Sequence, residues 1–243
     1  MKLIFFGSSH GIPEPNRKCS STLIEVEGNR YFIDMGSQAI EQLINRGIPI
    51  ESVKAVFVTH MHGDHTNGLI SFLDLCSWRF CEANPVICLP GNIESTKRAL
   101  TDWLACNGTT LRPFEFCHIT EGVVFDDGVL RVTAYRTRHI DFSYSYLVEA
   151  QGKRVLFSGD LSHTPADDFP IAVLSSPLDL AICESAHFEA TEYLPILEGN
   201  ANLKRLCFNH YSTRYLASVM QAKEIFSKTI DVTLATDGLE IVI

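Results

Sequence analysis

At 243 residues and 27.1 kDa, 46% hydrophobic and 20% charged, the chain is long enough to bury most of its unfolded surface without a disulfide staple. A mean hydropathy of +0.08 with 10% aromatics excludes a disordered chain, and no apolar run approaches the ~20 residues that span a bilayer. Twenty basic against 29 acidic residues give a net charge of −9, which argues against broad nucleic-acid binding but leaves room for a small anionic substrate held at a metal.

In chain order, Lys2–Phe6, Thr22–Val26 and Arg30–Asp34 read as strands, the last two joined at Gly28-Asn29, a hairpin signal. Gln38–Arg46 reads as a helix ended by Gly47 and Pro49, and Val53–Val58 as a strand buried on both faces. A polar turn follows, then a helix through Leu69–Phe80, the strand Pro85–Leu89 and a helix near Ile93–Ala105. Strands are predicted at Val123–Phe125, Leu130–Tyr135, Tyr144–Glu149, Arg154–Ser158, Leu178–Cys183 and Leu203–Asn209. A helix over Arg214–Phe226 precedes closing strands at Val232–Ala235 and Leu239–Ile243. Hairpins mixed with β-α-β units predict an α/β fold of two sheets with helices outside. With no linker, repeat or low-complexity segment, residues 1–243 are expected as a single domain. Eight cysteines without a C-x-x-C pair, and a start too short for a signal segment, lead us to expect a cytoplasmic protein with free thiols.

The chemistry concentrates in His60-Met61-His62-Gly63-Asp64-His65, where four potential ligands lie within six residues directly after a buried strand. In an extended segment His60 and His62 point the same way and can grip one ion. A turn at Gly63 is expected to aim Asp64 and His65 at a second ion. Imidazole and carboxylate suit Zn²⁺, with Mn²⁺ or Fe as alternatives. Three further candidates each follow a β run: His139, Asp160 after Ser158-Gly159, and His210 after Leu206–Asn209.

These motifs resemble the metallo-β-lactamase superfamily, and within it the RNase Z branch. Thr59-His60-Met61-His62-Gly63-Asp64-His65-x-x-Gly68-Leu69 is similar to that branch's T-H-x-H-x-D-H-x-x-G-L. Asn209-His210-Tyr211-Ser212-Thr213-Arg214-Tyr215 resembles its H-x-S-x-R-Y, Ser158-Gly159-Asp160 its S-G-D, and Asp34-Met35-Gly36 its D-x-G. The resemblance implies a four-layer αββα sandwich of two mixed sheets with a dinuclear site at one edge. It implies that His60, His62 and His139 hold one ion, that Asp64, His65 and His210 hold the other, and that Asp160 bridges them. Asp34 would orient the His60–His65 loop. A homodimer is also implied. The reaction expected is hydrolysis by a water held as hydroxide between two cations, with Asp64 taking a proton. A flavodiiron reading is disfavoured because that site expects a glutamate where His62 stands.

The departures from the pattern are informative. RNase Z inserts a tRNA-gripping arm between the third histidine and the bridging aspartate, whereas 20 residues separate His139 from Asp160 here. Extended tRNA binding is therefore not expected, nor is a membrane partner. The branch's proton-donating His-Ser-Thr is missing before His210; Glu184 resembles the family glutamate, and His187 stands where it could serve as general acid. Ser212 and Arg214 are candidate substrate contacts, and His10 a candidate for the pocket wall. His118 and His163 read as solvated; Phe72, Trp78 and Phe80 read as core or a lid helix. The leading expectation is a dinuclear zinc phosphodiesterase acting on a small nucleotide, cyclic nucleotide or RNA end. Alternatives are a lactone, thioester or β-lactam hydrolase on the same site, and a catalytically silent nucleic-acid-binding module.

Overall fold

In the computed structural model, which describes residues 1–243, the alternating pattern resolves into fourteen strands and five α-helices. The first half of the chain forms β1 (Lys2–Gly7), β2 (Ser21–Val26), β3 (Asn29–Ile33), α1 (Ala39–Asn45), β4 (Val53–Phe57), α2 (Gly63–Trp78), β5 (Val86–Leu89), α3 (Ile93–Ala105) and β6 (Phe116–His118). The second half forms β7 (Gly122–Asp126), β8 (Arg131–Thr137), β9 (Ser143–Ala150), β10 (Lys153–Phe157), β11 (Leu180–Ser185), α4 (Leu194–Leu197), β12 (Arg205–Tyr211), α5 (Leu216–Phe226), β13 (Asp231–Leu234) and β14 (Glu240–Val242).

Two seven-stranded sheets result, ordered β14-β1-β2-β3-β4-β5-β6 and β13-β12-β11-β10-β9-β8-β7. Each is mixed in the same way. In the first sheet the pairings from β14 to β3 are antiparallel and those from β3 to β6 parallel. In the second, β7 to β10 pair antiparallel and β10 to β13 parallel. Short hairpins join β2 to β3 and β7 through β10, and crossovers through helical segments join the parallel strands.

Period-2 alternation sorts side chains between layers. In β1, Leu3 and Phe5 face the other sheet while Ile4 and Phe6 face the helices. The inter-sheet core joins Tyr31, Phe57 and Ile24 to Tyr146, Val155 and Ile182. Outside the first sheet, Leu43 of α1, Phe72 and Leu73 of α2 and Leu100 of α3 cover Phe32 and Val56. Outside the second, Val219, Ala222 and Phe226 of α5 cover Leu156, Ala181 and Phe208. This is the expected αββα sandwich. Each large side chain taken fully out of water, such as Phe57 at 0% exposure, contributes about 1.5–3 kcal/mol.

Two expectations need correcting. Helix α2 begins at Gly63, not near Leu69, so Gly63 is helical and Asp64 and His65 lie in a helical first turn. An acidic residue there suits the positive end of the helix. Strand β12 runs through His210 to Tyr211 instead of ending at Asn209. Of the residues read as core or a lid helix, Phe72 is core and Trp78 is 58% exposed at the end of α2. Between His139 and Asp160 the chain makes β9, a two-residue turn at Gln151-Gly152 and β10. No helix is long and apolar enough to cross a membrane.

Candidate metal centre

The seven ligand candidates converge at one edge of the sandwich, where the parallel strands end. His60 follows β4, Asp160 follows β10, and His139 sits in the turn between β8 and β9. His210 lies inside β12, at a point where the pairing with β11 slips. Cys183 pairs with Phe208 and Ser185 with Tyr211, so Asn209 and His210 together stand opposite Glu184. This is a β-bulge, and it turns His210 out of the ladder. His210 adopts a left-handed backbone with φ of 52°, a conformation costing about 1–3 kcal/mol in a non-glycine residue.

The donor atoms fall into two sets. In the first, His60 Nε2 lies 3.0 Å from His62 Nδ1, and His139 Nε2 lies 3.2 Å from the same atom. Asp160 Oδ2 closes this set at 3.6 Å from His60 Nε2 and 3.7 Å from His139 Nε2. In the second, His65 Nε2 lies 3.3 Å from Asp64 Oδ2 and 3.4 Å from Asp160 Oδ1. His210 Nε2 lies 3.6 Å from Asp64 Oδ2 and 3.4 Å from Asp160 Oδ1. Asp160 thus gives one oxygen to each set. Each set also takes donors from both sheets, since His60, His62, Asp64 and His65 come from the first and His139, Asp160 and His210 from the second.

These spacings are those of metal ligands. Four donors placed tetrahedrally about 2.1 Å from one ion stand roughly 3.4 Å apart. His65 Nε2 and Asp160 Oδ1 are buried without a hydrogen-bond partner, a state that normally costs free energy and that an ion relieves. Burial, with His65 nearby, lowers the His60 imidazole to about 2, which keeps the ring neutral and its lone pair available. His60, His65, Asp160 and His210 are buried, whereas His62 is exposed and Asp64, His139 and His187 are half-buried. The centre therefore has a closed floor and an open mouth.

Hydrogen bonds from behind orient the donors. Asp34 accepts from the Thr59 amide at 2.8 Å, the Thr59 hydroxyl at 3.0 Å and His65 Nδ1 at 2.7 Å. Nδ1 is thereby held protonated, and Nε2 is freed for the centre. Thr59 Oγ1 also lies 3.2 Å from His60 Nδ1. Asp34 itself has a left-handed backbone, φ 58°. The next turn admits only glycine, because a Cβ on Gly36 would lie 1.7 Å from the Asp64 carbonyl oxygen. The Asp34-x-Gly36 motif is thus the seat of the α2 first turn.

Glu184 and His187 form one unit. Glu184 is buried and accepts from the Leu161 amide at 2.7 Å and the Ala186 amide at 2.9 Å. His187 Nδ1 lies 2.9 Å from its carboxylate, and His187 Nε2 faces the centre 3.7 Å from Asp160 Oδ2. Burial opposes the His187 charge, but the Glu184 hydrogen bond and charge outweigh it and raise the imidazole to about 9.

The outer candidates separate. Ser212 is buried and accepts from the Arg214 amide at 3.1 Å, capping a short turn over Thr213–Tyr215. The Arg214 guanidinium is exposed and stacked 5.3 Å over Tyr215. His10 turns its Nε2 to Glu14 Oε1 at 3.2 Å, away from the donor sets, although the neighbouring Gly11 borders Asp64. His118 and His163 are exposed as expected. Two supporting residues were not foreseen. Asp168 accepts from the Arg138 amide at 2.7 Å and the Ser162 amide at 2.7 Å, fixing the loops that carry His139 and Asp160. Arg17 holds the His210 segment. Neither sits in a motif, and no sequence signal pointed to them.

Comparison with known proteins accords with this geometry. The model of the family described as anti-Pycsar protein Apyc1 matches residues 1–170. Ribonuclease BN of Cronobacter sakazakii is 27% identical over 286 aligned positions covering 91% of this chain and 92% of that protein. The alignment exceeds the length of this chain, so that relative carries segments absent here. Ribonuclease Z of Geobacillus kaustophilus is 33% identical over 152 residues, 61% of this chain, and the match spans about half, 48%, of that protein. The fold matches the metallo-β-lactamase fold protein YhfI of Bacillus subtilis with a TM-score of 0.77 at 20% identity, covering 99% and 98% of the two chains.

Proposed function

The chain belongs to the anti-Pycsar protein Apyc1 family, and from that premise we propose that it is a metal-dependent phosphodiesterase with a dinuclear, zinc-type centre. The observation that carries the reading is the pair of four-donor sets sharing the two oxygens of Asp160. His60, His62, His139 and Asp160 would hold one ion, and Asp64, His65, His210 and Asp160 the other. Two bound cations supply Lewis-acid charge and make water nucleophilic near neutral pH.

The protein's own groups do the rest. Asp64 Oδ2 faces His65 and His210, and its second oxygen is available to take a proton at the mouth. His187, held protonated by Glu184, presents Nε2 towards the centre and gives a proton to the departing alkoxide. Both Glu184 oxygens are already engaged by the amides of Leu161, Ala186 and His187 and by His187 Nδ1, which makes Glu184 the orienting partner of His187. Arg214, exposed and four residues after His210, is the candidate to pair with a second phosphate oxygen.

The substrate class we infer is a small nucleotide, cyclic nucleotide or RNA end. The β9–β10 hairpin is too short to form an arm, and the charge of −9 offers no track for a polynucleotide backbone. The test is hydrolysis of bis(p-nitrophenyl) phosphate by protein loaded with Zn²⁺ or Mn²⁺, with Asp160→Ala as control. Metal-dependent turnover lost in the control is the expected result. Absence of turnover in folded, loaded protein would refute the phosphodiesterase and move attention to acyl substrates.

A further inference from the structure

We propose that Arg17 is a positioning residue that locks the β12 bulge and thereby seats His210 for the second ion. The inference rests on the two-ion reading above but concerns a side chain that touches neither ion nor substrate. His210 reaches the centre only because its backbone is left-handed and its strand is bulged. Something outside β12 must select that conformation, since the ladder with β11 favours the regular one.

Arg17 spans the bulge from the facing loop. Its Nη2 donates to the carbonyl of Ser8 at 2.5 Å and to that of Tyr211 at 3.0 Å. The Ser8 carbonyl also accepts the His210 amide at 3.1 Å. One guanidinium nitrogen therefore joins the residue after His210 to the acceptor that holds His210 itself. The guanidinium plane covers the Tyr211 ring at 3.8 Å, and Arg17 Nε donates to Ser8 Oγ at 3.2 Å.

Glu14 completes the lock. Its Oε2 accepts from Arg17 Nη1 at 2.7 Å, and its Oε1 accepts from the Thr213 amide at 3.0 Å. His10 Nε2 lies 3.2 Å from the same Oε1. The Ser8–Arg17 loop and the Tyr211–Thr213 segment are thus joined by one ion pair whose side chains are each only 11% exposed. An arginine so enclosed is unavailable to a phosphate, which separates its task from that of exposed Arg214. Lysine cannot replace it: a single ammonium can neither stack on Tyr211 nor reach both carbonyls and Glu14 in one plane.

The experiment is stepwise metal titration of ion-free wild type, Arg17→Ala, Arg17→Lys and Glu14→Gln. Zn²⁺ is measured by competition with a chromophoric chelator, Co²⁺ by its visible spectrum, and metal content by mass spectrometry. We expect each variant to bind the first equivalent as wild type does. The second should bind about 10–100-fold more weakly in both Arg17 variants, with a changed Co²⁺ spectrum for that equivalent only, and severalfold more weakly in Glu14→Gln. Two equivalents bound at wild-type affinity by the Arg17 variants would overturn the proposal. So would equal weakening of both equivalents, the mark of general destabilisation. If Arg17→Ala fails to fold, Glu14→Gln carries the same test, and an unchanged second equivalent refutes it. Wild type binding fewer than two equivalents would instead overturn the dinuclear reading itself.

Discussion

Replacing Asp34 by asparagine isolates the control of one proton. The side chain keeps its volume, and asparagine tolerates the left-handed backbone of φ 58° better than alanine would. What changes is the pattern of donors and acceptors. Asp34 now accepts at both oxygens, one facing the Thr59 amide at 2.8 Å and the other facing His65 Nδ1 at 2.7 Å. An amide has only one oxygen, so either orientation sets an N–H against a donor. If the amide nitrogen faces His65, the ring must shift its proton to Nε2 and cease to be a ligand. If it faces Thr59, a buried backbone N–H loses its acceptor. The ion-free fold should lose about 1–3 kcal/mol from the weakened hydrogen bonds. Affinity for the second ion should fall about 10–100-fold, equivalent to about 1.4–2.7 kcal/mol. Chelator competition reads the affinity, and urea unfolding of the ion-free protein reads the stability. An Asp34→Asn variant that binds its second ion as wild type does would refute the tautomer argument.

Other consequences are equally direct. His187→Gln should slow hydrolysis of esters with alkoxide leaving groups by about 10²–10⁴-fold while hardly affecting p-nitrophenyl esters, whose leaving group needs no proton; equal slowing of both would remove His187 as the acid. Asp160→Ala should lose the second equivalent of metal entirely and weaken the first, which metal analysis after gel filtration will show. In the ion-free protein, burial opposes charge on His65, but Asp160 and Asp34 outweigh it and hold the ring protonated well above its ordinary value. That contribution to the ion-free fold is complete below about pH 6.5 and fades as pH rises through the raised value. Metal must displace the proton, so the gain in Tm on adding Zn²⁺ should grow from pH 6 to pH 8; a gain that shrinks with pH would contradict this. Tyr146→Phe removes the buried hydroxyl that donates to the Val58 carbonyl at 2.6 Å, and urea titration should record a loss of about 1–2 kcal/mol.

Most of the architecture was legible because buried strands and amphipathic helices write their periods into the sequence. What escaped was short or locally ambiguous. Phe116–His118 forms a three-residue edge strand of half-exposed and exposed side chains, which gives no period to read. The start of α2 escapes the periodicity because His60–His65 is polar, and Gly63, a residue that suggests a turn, instead opens the helix. The seven candidate donors, which the structure brings together, stand out by residue type, by the spacing within His60–His65 and by position after a β run. Their supports do not. Asp34 was visible only through its motif, and Thr59 as part of the same string. Arg17 and Asp168 act on backbone groups far along the chain, 194 positions away for the Tyr211 carbonyl and 30 for the Arg138 amide. A backbone partner leaves no trace in residue identity. The left-handed turn at His210 was likewise hidden, because a histidine announces no special backbone in the way a glycine does.

The division of each donor set between the two sheets also orders events in time. The ribosome delivers His60, His62, Asp64 and His65 early, and 145 positions separate His65 from His210. At ~5–20 residues per second, about 7–30 s pass before the last donor is made. On the two-ion reading proposed above, a nascent chain therefore offers four donors that cannot close around either ion, and tight metal uptake must await both sheets. Acquisition of the metals becomes a report that translation has passed His210 and that the two sheets have met in register.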